Sequence, residues 1–314
     1  RNIVAFVKGN TKERPLGFAA HMDQIEPCRN VNPVINGNII STDKTTTLGG
    51  DDKAGISAIM EAVEDIIESG VPHRDIYLVF TCSEEISMMG TKHMDMSMLP
   101  CKELVVVDAT GGAETLAYKA PAMEAIEITF KGKKAHAGIE PEKGINAIVV
   151  ASKAISKMHI GRIDYETTSN IGHIEGGSAT NIVTDEVTFT AEIRSHSMEK
   201  LAAEVTHMEQ CCKEAVEEMG ACYEMKHEMA YPVLSLEEDC ELIQDTVNAM
   251  AEERITANKM IIGGGSDANV LAGHGYKSVI LGCGMINVHT VEEALDTDET
   301  WKVTKVLRRL MGAE

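Results

Sequence analysis

Five short segments of the chain are almost wholly apolar: IVAFV at 3–7, LGFAA at 16–20, IYLVF at 76–80, LVVV at 104–107 and SVILGC at 278–283. Runs this short and this uniformly apolar predict strands covered on both faces of a sheet. Between the second and third, Ile56, Ile59, Ala62, Val63, Ile66 and Ile67 recur at helical spacing within 53–68, with Glu61, Asp65 and Glu68 on a solvated face. Strand, helix and strand in that order require crossover connections and predict a mainly parallel sheet.

The texture changes near Lys119, Ala120 and Pro121. MEAIEITFKG and VTFTAEIRS alternate apolar with polar residues, which predicts strands with one covered face. Helical patterns at 144–158 and 198–220, with TTSNIGHIEG and ACYEMKHEMA, complete the order β-α-β-β-α-β of a ferredoxin-like α+β unit. After Tyr231-Pro232 the αβ texture returns, with a helix around 237–252, the loop GGGSDAN, the strand SVILGC and an amphipathic helix at 298–312. The expected organisation is an α/β domain made of 1–120 and 232–314, interrupted by an inserted domain at 121–231.

Composition narrows the partners. The 314 residues carry 29 basic and 49 acidic side chains, so the formal charge is 29 − 49 = −20. With no long basic run, nucleic acid and anionic membrane are not expected partners. No stretch reaches the ~20 apolar residues of a membrane span, and the start RNIVAFVKGN has no signal-peptide pattern. The eight cysteines include no CxxC pair, which reads as reduced thiols in a cytoplasmic protein. The 18 methionines read as adaptable packing in a chain only 4% aromatic.

In open α/β sheets ligands bind beyond the carboxyl ends of the strands. Those ends carry His21 and Asp23 in HMD, Glu84 and Glu85 in TCSEE, Asp108 after LVVV and His289 in NVHTVEE, while Asp51 and Asp52 open the first helix. Singly, each has an ordinary reading as a cap, a turn residue or a loop charge. Together, two histidines and three carboxylates at one sheet edge suit a pair of divalent metals, zinc first, with cobalt or manganese as substitutes. A carboxylate bridging two such ions roughly 3.5–4 Å apart is the usual plan of a dinuclear hydrolase. Such a site also needs a base that binds no metal, and the doublet Glu84-Glu85 offers one ligand and one base. Asp23 is suited to hold the far ring nitrogen of His21.

HMD, GGDDKAG, TCSEE, VVVDA, GKKAHAG, GGSATN, GGGSDAN and NVHTVEE, in this order, resemble the dinuclear zinc peptidase family that contains peptidase T, glutamate carboxypeptidase and acetylornithine deacetylase. The likeness spans nearly the whole chain and is strongest to the peptidase T-like branch. It implies an α/β zinc-peptidase catalytic domain with an inserted ferredoxin-like lid and dimerisation domain. It makes Asp51 the bridging ligand, with His21 and Asp108 completing one metal site and Glu85 and His289 the other. Glu84 becomes the general base and acid, Asp23 the residue that orients His21, and Asp52 a structural residue. In the inserted domain it implies that His136 stabilises the oxyanion across a homodimer interface, and that Asn181 and Arg194 contact the substrate, Arg194 through a carboxylate. At Gly263 the chain departs from the peptidase T pattern, which has an arginine there, so strict tripeptide specificity is not implied. Family members begin with a helical segment ahead of the first strand, whereas Arg1 stands almost on that strand. The expected activity is metal-dependent hydrolysis of small peptides. The rivals are an amidohydrolase of N-acyl amino acids and a catalytically silent binding protein on the same scaffold.

Overall fold

Four of the five apolar runs form the middle of an eleven-stranded sheet in the computed structural model, which describes residues 1–312. Strands Ile76–Thr81, Leu16–His21, Glu103–Thr110 and Lys277–Ile286 lie side by side, and all four run parallel. Their burial follows their sequence, since every residue of Leu16–His21 is buried and Leu104, Val105 and Val107 are fully enclosed. The mainly parallel α/β architecture is therefore the one the apolar runs predict.

Ile3–Val7 corrects one expectation. It pairs antiparallel with Ile76–Thr81 at the sheet's edge, and Ile3 and Phe6 are each 51% exposed. An edge strand has one neighbour, so an apolar run signals a strand without signalling two covered faces. At the other flank the sheet ends in the antiparallel strands Ala294–Asp296, Ile39–Thr42 and Pro33–Asn36. The last two form a hairpin around Gly37, whose φ of 63° is the left-handed conformation that such a two-residue turn requires.

Helix Gly50–Ser69 buries Ala54, Ala58, Ile59, Ala62, Val63 and Ile66 against strand Leu16–His21 and helix Thr297–Leu310. It ends at Gly70, in the left-handed region at φ 64°, whose N–H closes on the Ile66 carbonyl at 3.0 Å. Fully burying each large aliphatic side chain contributes ~1.5–3 kcal/mol, so this face anchors the helix that begins with Asp51.

By its contacts the chain divides into two compact units, one from Arg1–Ala120 with the segment from Leu234 onward, the other Pro121–Val233. The second is a five-stranded antiparallel sheet in the order Cys222–Tyr231, Ala122–Lys131, Glu186–Ser195, Thr167–Gly176, Gly161–Arg162. Helices Ala147–Ile155 and Met198–Met219 pack on it around Ile128, Phe130, Phe189 and Ile193. Both helices are capped from their own sequence. Asn146 accepts from Ile148 N at 3.0 Å, and Ser197 accepts from Lys200 N at 3.3 Å. The expected helix at 144–158 thus begins three residues later, beyond its asparagine cap. Among the described residues no helix is long and apolar enough to cross a membrane.

Candidate metal centre

Three parallel strands deliver the first groups to one edge. His21 ends its strand, Glu84 and Glu85 follow Thr81 by three and four residues, and Asp108 lies in Glu103–Thr110. His289 follows Lys277–Ile286 by three residues. Asp51 and Asp52 lie in the first turn of Gly50–Ser69 with non-helical backbone angles, and the peptide between them is cis.

Asp51 is the hub. Its Oδ1 lies 2.8 Å from His21 Nε2, and its Oδ2 lies 3.2 Å from His289 Nε2. His289 Nε2 is also 3.0 Å from Glu85 Oε2, and His21 Nε2 is 3.7 Å from Asp108 Oδ1. Ligand atoms of His21, Asp51 and Glu85 lie within 4.8 Å of one another, as do those of His21, Asp52 and Asp108. Asp52 is fully buried, and both its oxygens are taken by backbone, Oδ2 by His21 N at 3.1 Å and Oδ1 by Gly55 N at 3.2 Å.

Asp23 accepts from the N–H of Glu84 at 3.0 Å and of Glu85 at 3.2 Å. It stands 3.4 Å from His21 Nδ1, an ion-pair contact beside those two bonds. The segment carrying Glu84 and Glu85 is strained, with Ser83, Ser87 and Met88 all at positive φ. It is pinned at its ends by Asn2, which donates to Gly90 O at 2.8 Å and accepts from Cys82 N at 3.2 Å. Asp267 pins it again by accepting from the hydroxyls of Thr81 and Thr91.

The electrostatics are those of a cation site. Burial pushes the Glu84 carboxyl up to about 8, relieved in part by His21 and reinforced by the neighbouring carboxylates of Asp267 and Glu85. Burial, followed by the charge of Asp52, also drives Asp108 far above the carboxylate range. Asp51 goes the other way: burial opposes it, but hydrogen bonds from His21 and His289 hold it well below the ordinary value. Its bond to Asp51 lifts His289 to about 9. Asp51, Asp52, Asp108, Glu84 and Glu85 therefore crowd five carboxylates around two imidazoles, a charge imbalance that divalent cations would offset. The mixed nitrogen and oxygen donors fit zinc and its near neighbours.

A cavity of about 460 Å³ opens onto His21, Asp51, Glu84, Asp108 and His289. Its far wall runs from Met260 through Gly265 to Ser266, and a side chain added at Gly263 or Gly264 would meet nothing within 4 Å. The structure thus brings together His21, Asp23, Asp51, Glu84, Glu85, Asp108 and His289. The other three candidates lie in the second unit. There His136 and Asn181 are exposed and adjacent, Asn181 O accepting from Ala137 N at 2.9 Å. Arg194, half-buried, holds Glu192 through Nε at 2.9 Å and Nη2 at 3.0 Å.

Two buried acids in this region escaped the sequence reading, Asp267 and Glu293, each about 2% exposed. Both lie inside motifs already recognised, GGGSDAN and NVHTVEE. A usable signal was the helix start Gly49-Gly50, which offers no side-chain cap of its own and so calls for one from elsewhere.

Residues 123–220 match the family model described as a peptidase dimerisation domain, and residues 31–139 match that described as M42 glutamyl aminopeptidase. The chain is 40% identical to YqjE of Bacillus subtilis strain 168, over 98% of this chain and 82% of that protein. It superposes on a solved tripeptidase of Staphylococcus aureus with a TM-score of 0.95 at 34% identity, covering 99% of this chain and 83% of that one. The solved aminopeptidase PepT of Bacillus cereus gives a TM-score of 0.91 at 35% identity, with the same coverages.

Proposed function

The chain belongs to the peptidase T-like branch of the M20 peptidase family and is a peptidase, and on that premise we propose that it is a metal-dependent exopeptidase of small peptides. The observation that carries the reading is Asp51, whose two oxygens face two different histidines, the arrangement a bridging carboxylate needs. From the pairwise distances, His21, Asp51 and Asp108 would hold one divalent cation, and Asp51, Glu85 and His289 the other, zinc being the ion this donor set favours. When bound, such ions polarise the peptide carbonyl and acidify the attacking water.

The remaining work falls to side chains of the chain. Glu84 lines the cavity and, among the described residues, forms no ion pair with either histidine, so its carboxylate is available to take the proton of the attacking water and hand it to the leaving amine. Asp23 orders this step by fixing the backbone of Glu84 and by standing beside His21. His136 would stabilise the oxyanion from the partner of a homodimer, and Asn181 and Arg194 would bind the substrate. The dimer is supported by the dimerisation-domain match over 123–220. All eight cysteines are free, which suits the reducing cytoplasm.

The substrate class is supported by the two solved neighbours, one a tripeptidase and the other an aminopeptidase. It is tested by offering the zinc-loaded protein a panel of di- and tripeptides beside N-acyl amino acids. Release of amino acids from peptides is expected. Turnover confined to the N-acyl amino acids would reassign the protein as an amidohydrolase.

A further inference from the structure

We propose that Glu293 is a positioning residue: it caps, from 244 residues away, the segment that presents Asp51, and so couples that ligand to the turn that presents His289. The proposal rests on the metal-site reading above and adds to it a residue that touches neither metal nor substrate.

The first turn of helix Gly50–Ser69 supplies one bond of its own, from Gly55 N to Asp52 Oδ1 at 3.2 Å, and leaves the N–H groups of Leu48, Gly49 and Asp51 to a partner from elsewhere. Its preceding residue, Gly49, lies in the left-handed region at φ 78° and supplies no side-chain bond to the first turn. The opening N–H groups of a helix have no partner within it and must find one elsewhere when buried. Glu293 provides it. Oε2 accepts from Leu48 N at 2.7 Å and Gly49 N at 3.0 Å, and Oε1 accepts from Asp51 N at 3.0 Å. The side chain is 2% exposed, and among the described residues it forms no ion pair, so these three N–H groups are what compensate its burial. A negative charge is also well placed at a helix N-terminus.

The other end of the link is the turn after strand Lys277–Ile286. Thr290 Oγ1 donates to Asn287 O at 2.8 Å, Glu292 N donates to Thr290 Oγ1 at 3.1 Å, and Glu293 N donates to Thr290 O at 3.2 Å. His289 sits inside this bonded turn at φ 64°. One carboxylate therefore ties the His289 turn to the backbone of Asp51, and the two ligands meet at 3.2 Å as a result. Glutamine cannot replace it, because its NH2 would face a backbone N–H. Aspartate is one methylene short of the same three groups.

The test uses the full chain freed of metal. Backbone hydrogen exchange is followed at 48–51 and Co2+ is titrated by visible absorption, for wild type, Glu293→Gln and the exposed neighbour Glu292→Gln. In Glu293→Gln the 48–51 amides are expected to exchange at least ~10-fold faster, and Co2+ affinity to fall ~10–100-fold, as for other groups that orient metal ligands. Glu292→Gln should match wild type in both. Unchanged exchange, or Co2+ affinity at the wild-type level, overturns the proposal. Should Glu293→Gln fail to fold, Glu293→Asp is judged by the same two readouts. A wild-type chain that binds no Co2+ overturns the metal reading instead, and the exchange comparison still decides whether Glu293 fixes 48–51.

Discussion

Asp23 accepts the backbone N–H of Glu84 at 3.0 Å, so the proposed proton carrier is aimed by a residue from a different strand end. The second oxygen of Asp23 takes the N–H of Glu85, and the same carboxylate stands 3.4 Å from His21 Nδ1. One short side chain thus holds His21, the proposed metal ligand, Glu84, the proposed base, and its neighbour Glu85. Replacing Asp23 by Asn sets an NH2 against one of these N–H groups while keeping the volume. Steady-state hydrolysis of a peptide substrate should show kcat reduced ~10–100-fold. A kcat equal to wild type would remove Asp23 from the machinery.

Glu84 makes a sharper test because it is expected to act on the proton alone. Glu84→Gln keeps the shape but cannot accept a proton, and general-base catalysis is worth ~10²–10⁴-fold in rate. Turnover should fall by at least that range, while metal analysis of the purified variant still finds the wild-type stoichiometry. Near-normal hydrolysis would sink the assignment, and loss of metal together with activity would move Glu84 into the ligand set.

The raised groups give the metal-free protein a pH dependence of definite sign. Folded, Glu84 titrates at about 8 against an ordinary 4.5, because burial disfavours its charge. His289 titrates at about 9 against 6.5, because its bond to Asp51 favours its charge. In both intervals the folded chain holds a proton that the unfolded chain has released, so stability falls as pH rises. The melting temperature of chelator-treated protein should therefore decline from pH 5 to pH 9. Adding Zn2+ should flatten that decline, since metal binding expels the same protons. A melting temperature that climbs over this range without metal would contradict the buried-proton account.

The central sheet and the inserted unit were legible because their signals are local. Uniform apolar runs such as LVVV mark covered parallel strands, and alternation in VTFTAEIRS marks a sheet with one covered face. Pro33–Asn36 and Asn258–Ile261 were not foreseen, since each is four residues long, exposed at every position and without a repeating pattern. At the site, residue type and strand-end position were enough to nominate His21, Asp108 and His289. They could not reveal Asp267 or Glu293. What those acids do depends on partners such as Thr91 and Gly49, 176 and 244 residues away. A buried carboxylate that satisfies backbone or hydroxyl groups reads, in sequence, like any loop charge.

Glycines divide in the same way, and the division can be measured. A Cβ at Gly55 would lie 2.2 Å from Val107 O and 2.5 Å from Asp52 Oδ1. The first is backbone of the strand that carries Asp108, and the second belongs to a carboxylate already bonded to His21 N and Gly55 N. Neither can retreat without shifting Asp108 or His21, both proposed ligands. Gly55→Ala should therefore force the helix off the sheet, at a cost of ~1–3 kcal/mol as in other overpacked cores, and weaken Co2+ binding with it. Gly264 is the counterpart, in the cavity wall, where an added Cβ meets nothing within 4 Å. Gly264→Ala should keep stability within ~0.5 kcal/mol of wild type. Urea unfolding of the two variants and wild type, followed by circular dichroism, checks both. A lower midpoint for Gly264→Ala than for Gly55→Ala would reverse the assignment of which glycine is required by close packing.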